Sequence, residues 1–262
     1  MTILKLKRIS ACPLLLAAAL VYTPRLQARS PADTSLAARI AEHADTLMRG
    51  SSNYGTYRMS IIRPDWTRSM TMHSWERGQS MFYLEVIEPA REAGTAYLKR
   101  EGQMWTWLPE IGRTVKIPPS MMMDSWMGSD FTNDDLVHES SLSKDYDHRL
   151  LARDSLDGED AAAVELVPKE DAPVVWDRIV FWVRVSDFMP LKEEFYNEKG
   201  RLIRTMFFKD IKRLDGRLIP TRWLLTPQLK TDQRTEFEVL EIDFDVAIPD
   251  RTFTRQYLER SR

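Results

Sequence analysis

The chain has 262 residues, a formal net charge of −2 and a single cysteine, Cys12. Phosphate binding needs a basic footprint that this balance lacks, which argues against nucleic acid as a partner. One cysteine allows no internal disulfide, while eight Trp, ten Phe and eight Tyr are ample apolar material for a large core.

The N-terminus has the pattern of a secretory signal peptide. Lys5, Lys7 and Arg8 form a positive region, Ile9 to Tyr22 is an apolar run of 14 residues, and Leu26-Gln27-Ala28 is a small-residue exit. The run is shorter than the ~20 residues that a membrane span needs; an uncleaved anchor is the alternative. Cys12 opens the run, whereas a lipid-attachment cysteine closes it, so the chain does not read as a lipoprotein. Cleavage after Ala28 removes four basic residues and no acidic one, leaving 234 residues at net −6 without a cysteine. The remainder, residues 29–262, is expected to be one domain, monomeric and periplasmic.

Thr34 to Arg49 carries Leu36, Ile40, Ala44, Leu47 and Met48 on one stripe, with Asp33 or Thr34 to cap it and Gly50 after it. This predicts an amphipathic helix, with His43 off the stripe and solvent-exposed. From Tyr54 the period changes to two. Tyr57, Met59 and Ile61 alternate with polar residues, Pro64-Asp65 turns, and runs from Trp66, Met81, Thr95, Met104 and Thr114 follow. Beyond residue 145 the alternation resumes in runs from His148, Ala162, Arg178, Leu191, Arg201, Leu218 and Thr235, with Asp157-Gly158 and Asp215-Gly216 as hairpin turns. The pattern predicts an antiparallel meander of about eleven strands. Met81 to Val86, Val180 to Val183, Met206 to Phe208 and Trp223 to Leu225 are apolar on both faces. A sheet with one wet face alternates cleanly, so something covers both sides of its middle.

The stretch from Pro118 to Glu139, PPSMMMDSWMGSDFTNDDLVHE, breaks the period. Met side chains fill irregular space and adapt to variable partners. The Met/Trp cluster is therefore either a plug in the protein's own core or a lid over a foreign apolar chain.

No nucleophile elbow, phosphate loop, dinucleotide fingerprint or H-E-x-x-H motif is present, and neither an enzymatic activity nor a cofactor is expected. Asp134, Asp135, His138 and Glu139 could hold a hard cation only in a geometry that spacing does not supply, so they read as a solvated loop. Asp130 to Asp135 reads as helix-capping. Met121, Met122, Met123 and Met127 are thioethers of the kind that select Cu(I), yet no His or Cys is interleaved with them; copper handling is a lower alternative. Arg178, Arg184, Arg201, Arg204, Arg213, Arg217 and Arg222 are expected mostly to face solvent, with one buried arginine holding the central stretch as the alternative.

The segment from Ser120 to Leu136, with MGSDF at its centre, resembles the signature of the outer-membrane lipoprotein-sorting protein family, exported bacterial proteins similar to the carrier LolA. The order of helix, meander, central stretch and meander agrees along residues 29–262. The resemblance implies a half-open, curved antiparallel sheet of LolA/LolB type, with an N-terminal helix and a helical lid (residues 118–139) on its concave face. It also implies a carrier that binds acyl chains of a lipoprotein or lipid for transfer between envelope membranes, with an inner-membrane efflux-type transporter as a partner. An envelope sensor or interaction module of the same fold is the alternative. Met121, Met122, Met123, Trp126, Met127 and Phe131 are the candidate lid contacts, and Tyr83, Trp107, Trp182, Phe207 and Trp223 the candidate cavity wall.

Overall fold

The computed structural model describes residues 31–137, 141–172, 174–230 and 232–260. The candidate signal segment with Cys12, and the candidate cation ligands His138 and Glu139, lie outside the described residues. Helix α1 spans Pro31–Leu47. The first half of the meander is β1 (Ser52–Ile62), β2 (Thr67–Arg77), β3 (Met81–Glu88), β4 (Ala96–Arg100), β5 (Gln103–Leu108) and β6 (Arg113–Ile117). A short helix, α2 (Asn133–Val137), lies in the central stretch. The second half is β7 (Tyr146–Leu156), β8 (Glu159–Pro168), β9 (Arg178–Arg184), β10 (Pro190–Tyr196), β11 (Leu202–Leu214), β12 (Arg217–Pro227) and β13 (Arg234–Phe244), followed by α3 (Arg255–Leu258).

The described residues thus contain thirteen strands, one for each of the thirteen runs named from the sequence, in place of the expected eleven or so. The five-residue runs β4 and β6 count in full because each is laddered to a neighbour, Leu98 opposite Trp105 and Thr106 opposite Val115.

All thirteen strands join one antiparallel sheet in the order β6-β5-β4-β3-β2-β1-β13-β12-β11-β10-β9-β8-β7. The first and last strands of the chain meet in its middle, with Met59 opposite Phe237. Strands β6 and β7, consecutive in sequence, form the two opposite edges. The chain between them must therefore cross the whole width of the sheet.

A sheet this wide curls. Register shifts at Thr56/Tyr57, Thr71/Met72 and Leu150/Ala152 add local bend and twist. Beside the first of these, the Tyr57 ring lies over Gly55, where an added Cβ would sit 2.5 Å from the Tyr57 hydroxyl. The sheet curls far enough that Phe82 and Lys99 of β3 and β4 line the same cavity as Ile179 and Glu193 of β9 and β10.

Three apolar clusters account for part of the two-sided hydrophobicity; the outward Trp182 and Phe207 belong to none of them and lie under Lys192 and Lys209. On the concave face, Tyr57, Met59, Met72, Leu84 and Ile242 pack with Trp126 of the crossing stretch. Further along that face, Val164, Phe181 and Phe195 pack under Ala37, Ile40 and Ala41 of α1. On the convex face, Tyr83, Ala96 and Leu98 are covered by Ile248, Phe253 and Leu258 from the C-terminal segment. His43, expected in solvent, is half-buried with its ring edge-on to Phe188 at 6.0 Å. The loop after β9 reaches α1 there, a contact that helical spacing alone does not reveal. Among the described residues no helix is long and apolar enough to cross a membrane.

Candidate functional site

The crossing stretch folds on itself before it meets the sheet. Ser125 and Thr132 form an isolated antiparallel bridge. Within that loop the Trp126 N–H donates to the Phe131 carbonyl at 2.8 Å, and the Ser129 hydroxyl donates to the Trp126 carbonyl at 2.7 Å. Met127 and Gly128 both take left-handed backbone, φ 51° and 74°. Gly does so freely, while Met127 is held there by the loop around it. Thr132 and Asp135 then form a reciprocal cap for α2. Asp135 accepts from the Thr132 N–H at 2.7 Å, and the Asp135 N–H donates to the Thr132 hydroxyl at 3.3 Å.

Three arginines of the sheet hold this loop. Arg63, at the end of the β1–β2 hairpin, forks onto Asp130 at 3.0 and 3.1 Å and donates to the Gly128 carbonyl at 3.1 Å. Arg68 donates to the Met127 carbonyl. Arg204 of β11 forks onto Asp135 at 2.7 and 2.5 Å and donates to the Asp130 carbonyl at 3.3 Å. Arg204 is 5% exposed, with Trp176 and Phe195 each 4.5 Å from its guanidinium carbon. Planar guanidinium forks suit carboxylates, and stacking on rings keeps the fork aimed.

Both acids are therefore arginine ligands. A cation would have to displace a guanidinium to use Asp135, and the described residues contain no group of three or more His, Cys, Asp or Glu able to hold a metal ion. Burial pushes the Asp135 carboxyl up, but Arg204 and the Thr132 donors outweigh it and hold the group below the usual carboxylate range.

Between loop and sheet lies a cavity of about 350 Å³. That is within the range of small-ligand sites, roughly 300–1,000 Å³. Its aromatic wall is continuous: Tyr57 lies 5.2 Å from Phe237, Phe237 stacks on Trp223 at 5.3 Å, and Trp223 meets Phe208 at 6.0 Å. Ile179, Phe181 and Met206 extend the floor, Leu47 at the end of α1 and Met48 just after it close one side, and Trp126, Phe131 and Leu136 form the roof. Phe131 contacts the wall directly, 6.1 Å from Phe237. Charged groups also line it, Glu76 of β2 and Lys99 of β4 from the first half of the sheet, Glu193 of β10 and Arg204 of β11 from the second.

A family model described as "Uncharacterized protein" matches residues 78–260. The chain is similar to three crystal structures along most of its length. A LolA superfamily protein from Nitrosomonas europaea is 25% identical, with a TM-score of 0.71 over 84% of this chain and 98% of that one. An outer membrane lipoprotein-sorting protein domain from Vibrio parahaemolyticus is 22% identical, with a TM-score of 0.74 over 87% and 100%. A domain-of-unknown-function family protein from Desulfovibrio piger is 24% identical, with a TM-score of 0.78 over 86% and 99%. The chain belongs to the family of that model and has the LolA-superfamily fold. No curated protein matches it.

The cavity takes in some of the residues singled out from sequence and leaves out others. Trp126, Phe131 and Trp223 line it. Met122 and Met127 are half-buried against the first concave cluster, while Met121 and Met123 are 45% and 50% exposed. Tyr83 and Trp107 lie on the opposite, convex face with Tyr257 and Phe253. Trp182 and Phe207 also face away from the cavity, each under a lysine, Lys192 at 4.8 Å and Lys209 at 5.5 Å. The reason is parity. In a strand apolar on both faces, Phe82, Phe181 and Phe208 are as apolar as their neighbours, and period two alone does not say which face is concave.

Arg204 is one of the seven arginines expected mostly in solvent and proves to be a buried one that holds the central stretch, while Glu193 is not singled out from sequence, although a signal for both existed. Arg204 has the parity of Met206 and Phe208, and Glu193 that of Phe195, so both point to the side that buries those residues.

Proposed function

We propose that this protein is a periplasmic carrier that shields an acyl chain of a lipid or lipoprotein between envelope membranes. The observation that carries this reading is the cavity. It is walled by a continuous aromatic and aliphatic face, and it is roofed by a loop tied to the sheet through three arginines. Each buried CH₂ contributes about 0.8 kcal/mol, so a dry pocket of this kind binds an alkyl chain without covalent chemistry. Reversible arginine contacts to loop carbonyls and carboxylates let the roof open for loading and release.

The names of the similar structures, an outer membrane lipoprotein-sorting domain and a LolA superfamily protein, support the same class of cargo. On this reading the first 28 residues are an export signal, the protein acts as a monomer, and an inner-membrane transporter loads it. Protein purified gently from its native envelope should carry acyl lipid, read by mass spectrometry of an organic extract. An empty extract, together with no uptake of an apolar fluorescent probe, would overturn the proposal.

A further inference from the structure

Among the charged side chains that line the cavity, Glu193 stands within the apolar run of its wall. Strand β10 alternates: Lys192 and Glu194 point outward and bond each other at 2.9 Å, while Phe195 points in. Glu193 shares the inward parity. It sits opposite Phe181 of β9 and Met206 of β11, both cavity-lining residues, and itself lines the cavity. An acid at an inward position of an apolar wall does nothing for the packing, and such departures from pattern mark sites of function.

Its electrostatic surroundings are short of positive charge. The charged groups facing it are Arg204 of β11 and Asp135 of α2. Both terminal nitrogens of Arg204 are taken by Asp135. One guanidinium therefore serves two carboxylates, and Asp135 holds the fork. Burial raises the Glu193 carboxyl, the Arg204 charge lowers it and the Asp135 charge raises it again, leaving it at about 7.

We propose that Glu193 is a specificity-determining residue: it accepts a hydrogen bond from a hydroxyl or amino group carried on an otherwise apolar cargo. Resting on the carrier reading above, this narrows the cargo from any acyl chain to an amphiphile with a donor that reaches the β10–β11 side of the cavity. Apolar sites of this kind obtain their selectivity from a small number of placed polar groups. A cargo lacking the donor leaves the carboxyl buried and unsatisfied, so the group discriminates against plain chains as well as for substituted ones.

The test uses the full mature protein and displacement of diphenylhexatriene, an apolar dye without donors, by decanol, decylamine or decyl methyl ether below micelle-forming concentrations. Wild type should bind the alcohol and the amine about tenfold more tightly than the ether, the weight of one charge-assisted hydrogen bond. Glu193→Leu should erase that ratio. Glu193→Gln should keep a preference for the alcohol through its carbonyl oxygen, and lose the rise in amine preference that wild type shows between about pH 5.5 and about pH 8.5. Dye and ether binding with no donor preference in wild type, or a ratio unchanged in Glu193→Leu, would overturn the Glu193 proposal and leave the carrier standing. Failure of dye and all three ligands to bind would remove both.

Discussion

Two carboxylates around one guanidinium, at Asp135, Glu193 and Arg204, give the protein opposed pH responses. Glu193 sits at about 7 in the fold, against an ordinary 4.5, so the native state holds a proton that the unfolded chain has already lost. Stability from this group is fully present below about 4.5 and falls as pH rises through about 7, by on the order of 3 kcal/mol. Urea titrations across that window should show the fall in wild type and its absence in Glu193→Gln. Asp135 works in the other direction: its carboxyl is held low, so its stabilisation is present at neutral pH and is lost as pH drops below the usual carboxylate range. Arg204→Ala would leave Asp135 part-buried without its fork, the side chain being only 19% exposed. Breaking a buried pair costs about 3–5 kcal/mol, and this residual exposure argues for the lower end. The urea midpoint should fall accordingly, with faster amide exchange concentrated in residues 125–136.

At the scale of the element, the crossing stretch acts as plug and roof at once. Trp126 is 2% exposed and packs edge-on to Tyr97 at 5.7 Å, so this part belongs to the protein's own core. Phe131 and Leu136 line the cavity as Trp126 does, but are only half-buried. The two roles predict different phenotypes. Trp126→Ala should destabilise by about 3–5 kcal/mol, as large-to-small core changes do, read as a drop in the denaturation midpoint. Phe131→Asp should lower uptake of an apolar fluorescent probe several-fold while the circular-dichroism spectrum stays native. Met121→Ser and Met123→Ser, at exposed positions, should leave both measurements close to wild type. A loss of uptake in the Met variants equal to that in Phe131→Asp would mean that the roof extends over the methionines.

For the molecule as a whole, the convex face matters as much as the cavity. Residues 246–258 cover Tyr83, Ala96 and Leu98, with Tyr257 edge-on to Tyr83 at 5.1 Å and Arg77 bonded to the Ile248 carbonyl at 3.3 Å. This segment is the reason a strand such as β3 is apolar on both sides. Truncation before Val246 should expose that patch, lower the melting temperature and increase binding of a hydrophobic dye. An unchanged melting temperature would show that the segment is a passenger. The half-open shape has a related origin. Because β6 and β7 occupy opposite edges, the chain joining them is obliged to cross the sheet, and the apolar Trp126 and Phe131 take it over the concave side, so the roof is a product of connectivity as well as of composition.

Much of this was legible in the residues themselves. Period-two runs bounded by Asp-Gly and Pro-Asp turns specify an antiparallel meander, the stripe from Leu36 to Met48 specifies α1, and the loss of period at Pro118 marks the stretch that is not sheet. The departure of both-face apolar strands from clean alternation already required cover on two sides. Tertiary structure decided which face was which. Tyr83 and Phe82, or Phe207 and Phe208, differ by one residue of parity and hardly at all in hydrophobicity, so only the direction of curl assigns one to the cavity and its neighbour to the outer surface. It also decided the fate of the charges. Arg63, Arg68 and Arg204 are separated from the loop they hold by some 60 to 75 residues of chain. Local pattern carries no information about such pairs; they exist because the meander brings β1, β2 and β11 under a loop whose carboxylates and carbonyls need donors.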